Sequence, residues 1–166
     1  RFTYEGYYGI QEQVARLDVM NLREFAEYSN DWAAETNGRD PRVEFGDPSI
    51  LGEGTNWQNE LFRTAPVMNH QLSAAGGSEK VKYYVSGGYF SQDGTQVGTD
   101  FSRYSARVNL DADLKKWLKL GSRIMYSATD ENLTLNNSTE GVISVAMRTT
   151  PHVPVRNADG SWPGLV

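Results

Sequence analysis

Two histidines, scattered carboxylates and four tryptophans are the side chains with which this chain could do chemistry. His70 and His152 stand far apart, with no HxxH or HExxH spacing for a metal pair. His70 reads as a strand-end residue among polar neighbours. Asp47, Glu53, Glu60, Asp130 and Glu131 fall in apparent loops. A glycosidase needs two carboxyl groups held across one sugar, and no pattern here fixes such a pair. Asn157-Ala-Asp159-Gly160 matches part of a calcium loop but lacks the distal glutamate, so it reads as a turn. There is no cysteine, which removes disulfides, thiolate metal sites and thiol nucleophiles. These residues argue against an enzyme and imply no cofactor and no metal. Trp32 and Trp162 remain as candidate binding residues. They sit among Asn, Asp and Gly, where an indole can stack on a sugar or pack against a partner. Trp57, just ahead of a strand, reads as a residue that holds its loop together.

The bulk numbers narrow the class. The chain has 166 residues, a net charge of −5 and 39% hydrophobic residues. Its mean hydropathy is −0.56. No apolar run is long enough for a membrane helix. No basic stripe gathers on one element, so nucleic acid is not an expected partner. No signal peptide is visible at the start, which reads directly as a strand. Sixteen glycines and nine tyrosines favour a β-rich chain with tight turns.

The elements that must carry any site follow from periodicity. Alternation predicts strands at about 1–11, 68–76, 81–92, 101–111 and 117–129. It places Val81, Tyr83 and Val85 on one face with Tyr104, Ala106, Val108, Leu120 and Ile124. A slip of one residue would reverse every side chain. Between the first two strands the period changes. Leu22, Phe25, Ala26 and Ser29 share a helix face, Asn21 or Asp18 can cap its start, and Asn37-Gly38 can end it. Short helical pieces are expected at 57–63 and 139–148. Pro151 and Pro154 then stop regular structure.

The connections sort by length. In an antiparallel meander the long segments 12–67 and 130–166 and the 93–100 loop fall at one end. The tight turns at 77–80 and 113–116 fall at the other. Membrane barrels have this asymmetry, with alternation between a lipid face and a wet lumen. Tyr83, Tyr89, Phe101, Tyr104, Trp117 and Tyr126 lie near strand ends, as an interfacial girdle does; in a soluble sandwich they would be core. Lys82, Arg103, Arg107, Lys119 and Arg123 lie on the polar faces. They would line a lumen, or a solvated sheet face. Five strands cannot close a transmembrane barrel, which needs at least about eight.

Several runs carry a resemblance. WQNELFRTAP (57–66), NHQLSAAGG (69–77), YYVSGGY (83–89) and RYSARVNL (103–110) are similar to the early barrel of SusC/RagA-type TonB-linked outer-membrane transporters. LDVMNLREFAEY (17–28) resembles the family's first long loop, and AMRTTPHVPVRNADGSW (146–162) a later one. The resemblance covers nearly the whole chain in order.

It implies an all-β fold with short loop helices. The sheet would be an antiparallel meander, a segment of a twenty-two-stranded plugged transmembrane barrel. Residues 1–166 would form part of the barrel domain, and the plug would be absent. It further implies an outer-membrane location and import of a glycan or peptide. The partners would be a SusD-like surface lipoprotein, TonB through the missing N-terminal part, an oligosaccharide or peptide substrate, and membrane lipid. A soluble β-rich carbohydrate-binding module is the competing reading.

Overall fold

Alternation yields five strands in one sheet, paired in chain order and antiparallel throughout. The computed structural model describes residues 1–37, 45–135 and 139–163. The expected helix stop at Asn37-Gly38 falls partly outside them. The strands are β1 (Phe2–Gln11), β2 (Ala65–Gly77), β3 (Val81–Asp93), β4 (Asp100–Lys115) and β5 (Leu118–Asn132).

β2 begins before Met68 because Pro66 is tolerated there. It pairs with Ile10 of β1, while pairing with β3 starts only at Val67, and a strand accepts proline near its start. β4 runs past Asp111 through an irregularity at Asp113/Lys115. Such a bulge adds a residue and lets the ladder continue.

The register fixes both faces. Tyr83 stands opposite Leu110, Val85 opposite Val108 and Tyr89 opposite Tyr104. Val108 faces Ile124, and Ala112 faces Leu120. Directly opposed residues share a face, so the apolar set lies together as alternation predicts. Phe2, Tyr4, Tyr8 and Ile10 extend it through β1 and β2. The opposite face carries Gln71, Lys82, Tyr84, Ser86, Arg103, Arg107 and Arg123.

Other readings change. β5 runs past 129, so Asp130 and Glu131 lie in a strand opposite Ser102 and Phe101, not in a loop. Phe101 has the parity of Arg103, so it lies on the polar face and not in the aromatic girdle. There it meets Phe90 edge-on, with ring centroids 6.0 Å apart. His70 is mid-strand on the apolar face, opposite Tyr89. Its Nδ1 lies 2.7 Å from the Tyr4 hydroxyl. Alternation with Met68 and Leu72 predicts that face; the residue is mid-strand because β2 begins at Ala65.

The chain divides into two units. The sheet unit comprises Arg1–Gln13 and Arg63–Thr134; the other comprises Val14–Phe62 and the chain from Leu135. Both excursions leave β-strands at the end where the β3–β4 loop lies. At that end Arg63 donates its backbone N–H to Thr95 O at 2.7 Å and its Nε to Gly94 O at 3.2 Å. This ties the start of β2 to the β3–β4 loop.

The second unit has helices α1 (Leu22–Asn37), α2 (Trp57–Leu61) and α3 (Val142–Arg148), plus a 3₁₀ turn at Pro48–Ile50. Asn21 rather than Asp18 caps α1. Its side chain accepts from Glu24 N–H at 3.0 Å, and the Glu24 carboxylate accepts from Asn21 N–H at 2.9 Å. This is a reciprocal capping box. Ala26 is fully buried on the inner face of the helix.

Phe25, Phe45 and His152 pack ring against ring at centroid distances of 6.0–6.2 Å. The buried Gln58 amide pairs with Leu17 like a strand neighbour. It accepts Leu17 N–H at 2.9 Å and donates to Leu17 O at 2.7 Å. A buried amide must find such partners. No helix among the described residues is long and apolar enough to cross a membrane.

Candidate functional site

Each unit has a surface with a hollow in it. In the second unit it is a groove of about 380 Å³. Asp18, Val19 and Met20 line it together with Trp57, Met147 and Pro151. Local chemistry fixes part of this lining. Asn56 caps α2 by accepting from Gln58 and Asn59 N–H. Thr55 N–H donates to Pro151 O at 2.9 Å, and the Trp57 indole N–H donates to Thr150 O at 3.3 Å. Arg148 donates to Ser144 O and to Thr139 O, closing the turn ahead of α3.

Gly54 is the hinge of this packing. Its φ is +71°, and a Cβ there would lie 2.5 Å from Pro151 O and 2.7 Å from the Leu22 side chain. Glycine adopts that backbone without steric cost. The groove is mostly apolar, and Val14, Leu17, Val19 and Met20 leave an exposed apolar run beside it in sequence.

Trp32 and Trp162 also lie in this unit, and both are exposed. Neither lines the groove. Arg156 stacks on the Trp162 ring, 3.9 Å from guanidinium carbon to centroid, and donates to Gly160 O at 3.0 Å. The Asp159 carboxylate accepts from the Ser161 hydroxyl at 2.6 Å and from its N–H at 2.9 Å. Those bonds hold its pKa below the usual carboxylate value. The same pattern at Ser49 lowers Asp47. Both are local caps of turns. No group of three or more possible metal ligands occurs among the described residues.

Trp57 is half-buried with its N–H engaged, a structural position. Met20 and Met147 are wall residues that sequence reasoning missed. They come from segments far apart in the chain, and no local pattern links them.

In the sheet unit that surface is the polar face. Arg123 pairs with Asp111 at 2.7 Å and Lys119 with Asp113 at 3.4 Å. Arg103 lies over the Phe90 ring at 5.7 Å. Arg107 lines a shallow hollow with Gln71, Tyr84, Ser86 and Ser105. The opposite face is apolar and open. Tyr4, Leu72, Val85, Tyr104, Ile124 and Tyr126 are all exposed, and no element of this unit lies on them.

The chain is similar to several known proteins. It is 31% identical over 162 residues to TonB-dependent receptor P3 of Formosa agariphila, across 93% of this chain and 15% of that protein. It is 32% identical over 110 residues to TonB-dependent receptor SusC of Bacteroides thetaiotaomicron, across 65% of this chain and 10% of that protein. The chain thus spans about one seventh of the first of these relatives, and less of the second. Its fold matches the RagAB peptide importer in the closed-closed state with a TM-score of 0.70 at 20% identity, over 98% of this chain and 22% of that one. The open-open state gives 0.72 at 21% identity, over 98% and 21%. No protein-family model matches the chain.

Proposed function

We propose, from a chain that is a segment of a SusC/RagA-type TonB-dependent receptor barrel, that the protein it belongs to imports a nutrient across an outer membrane. The carrying observation is the two-faced single-layer sheet. One face is apolar and uncovered within its unit; the other is polar and charged. A soluble sandwich would lay a second sheet on the apolar face. Lipid covers such a face in a membrane barrel.

The dimensions agree. Leu118 to Ala128 on β5 carries the apolar set with one serine, Ser122. Ten residue steps give about 34 Å along the strand, or about 26 Å of membrane depth at a tilt near 40°. That matches an apolar band of about 25 Å. The exposed Tyr104 stands opposite Ala128, at one end of the set.

In this reading residues 1–166 form a run of five neighbouring strands in the barrel wall. The second unit, inserted between β1 and β2 and following β5, lies outside the cell. There it contributes to capture of an oligosaccharide or peptide and to contact with a SusD-like lipoprotein. Trp32 and Trp162 serve those contacts. TonB acts through parts of the receptor beyond these residues. The chain supplies binding and wall, with no catalytic step and no cofactor.

The competing soluble carbohydrate-binding module would leave the apolar face in water, at a cost near 25 cal/mol per Å². Fractionation of cells making the full-length product tests the choice. Recovery in the outer membrane is expected. Recovery in the soluble fraction would overturn the reading.

A further inference from the structure

We propose that the polar face carries a carboxylate-binding subsite centred on Arg107; this rests on the reading that the face looks into the barrel lumen. Most cations of the face are answered by acids. Arg123 meets Asp111 at 2.7 Å and Lys119 meets Asp113 at 3.4 Å. Lys82 stands opposite Asp111 in register. Arg107 has no acidic partner among the described residues. Its Nη2 rests 3.6 Å from Met125 Sδ, a weak acceptor.

Beside Arg107 lies a hollow of about 160 Å³. Gly88 keeps it open, since a Cβ there would come within 2.9 Å of Ser105 Oγ. Gln71, Tyr84, Ser86 and Ser105 give the lining its neutral polar groups, and Ala106 and Met125 its apolar ones. The site therefore offers one fixed cation, several neutral donors and no carboxylate of its own. Its volume is roughly that of five liquid waters, enough for a carboxylate and a short carbon stem. A guanidinium binds a carboxylate through two parallel N–H bonds. An ammonium group would be repelled, and a neutral hydroxyl would leave the charge unanswered.

The carboxylate comes either from an acidic side chain elsewhere in the full-length receptor or from cargo passing through it. The chemistry is the same, and one experiment separates the two. The purified full-length receptor is melted without ligand and with increasing glutarate, as wild type, Arg107→Gln and Arg107→Lys.

If the subsite is open to cargo, glutarate raises the wild-type midpoint and binds Arg107→Gln about tenfold more weakly or worse. If an internal side chain fills it, glutarate has no effect. Arg107→Gln then lowers the ligand-free midpoint and Arg107→Lys restores part of the loss. A wild type blind to glutarate together with an unchanged midpoint in Arg107→Gln overturns the proposal. Should Arg107→Gln fail to assemble, a density map of the wild-type receptor decides. Carboxylate oxygens at about 2.7–2.9 Å from the guanidinium support the subsite; solvent or hydroxyls alone overturn it.

Discussion

Val85 and Val108 stand directly opposite each other on β3 and β4, and both are exposed. An opposed valine pair in open view is what a lipid-facing wall requires. Val85→Arg in the full-length receptor should cost about 2–4 kcal/mol if the site lies near the bilayer midplane. Ser86→Arg, one residue on and on the opposite, polar face, should cost far less. Yields of the two variants in outer-membrane fractions check the assignment; equal yields would contradict it.

Gly54 and Gly52 make a matched pair. A Cβ at Gly54 strikes Pro151 O and the Leu22 side chain, while nothing lies within 4 Å of one at Gly52. Gly54→Ala should destabilise the second unit by about 2 kcal/mol or more, from left-handed backbone plus steric clash. Limited trypsin digestion of the membrane-embedded receptor reads this as cleavage at Arg16 or Arg23 roughly thirtyfold faster. Gly52→Ala should digest like the parent.

The Asn21–Glu24 capping box sets the start of α1. Asn21→Ala should cost about 1 kcal/mol, and hydrogen exchange should show roughly fivefold less protection in the first turn. Asn21→Ser keeps a side-chain acceptor and should retain most of it. Unchanged exchange in Asn21→Ala would mean that packing, not the cap, fixes the helix start.

The turn at Asn157–Gly160 should respond to acid. Hydrogen bonds from Ser161 favour the charged Asp159 and depress its folded pKa. Their contribution is complete above the unfolded value of about 3.9 and is lost as pH falls through the lower folded value. The turn should therefore be indifferent between pH 8 and 5 and loosen only below about pH 4. Carboxyl NMR of receptor labelled at aspartate checks this. Ser161→Ala should return Asp159 toward its ordinary titration.

What the sequence made legible was the local periodicity. Val85, Val108 and Ile124 share a face because alternation has period two, and that survives whatever surrounds the sheet. Phe101 was misplaced by reading its position near a strand end without its parity. His70 shares the face that alternation gives it; only its place along the strand differs, because β2 begins at Ala65. The second unit was the least legible. Phe25, Phe45 and His152 meet through tertiary packing, and Met20 and Met147 join one groove from distant loops. Nothing local in those segments signals that they meet. Arg107 was visible as one of five cations on a face. That no acid among the described residues pairs with it is visible only once the fold pairs Arg123 with Asp111.

Sidedness tests the central claim most directly. Protease sites are engineered in the Asn157–Gly160 turn and in the Gly77–Lys80 turn of the full-length receptor, and intact cells are treated from outside. The account predicts cleavage at the first site, and protection at the second until the outer membrane is opened. Protection at the first with cleavage at the second would invert the barrel, and cleavage only in a soluble cell fraction would remove it from the membrane.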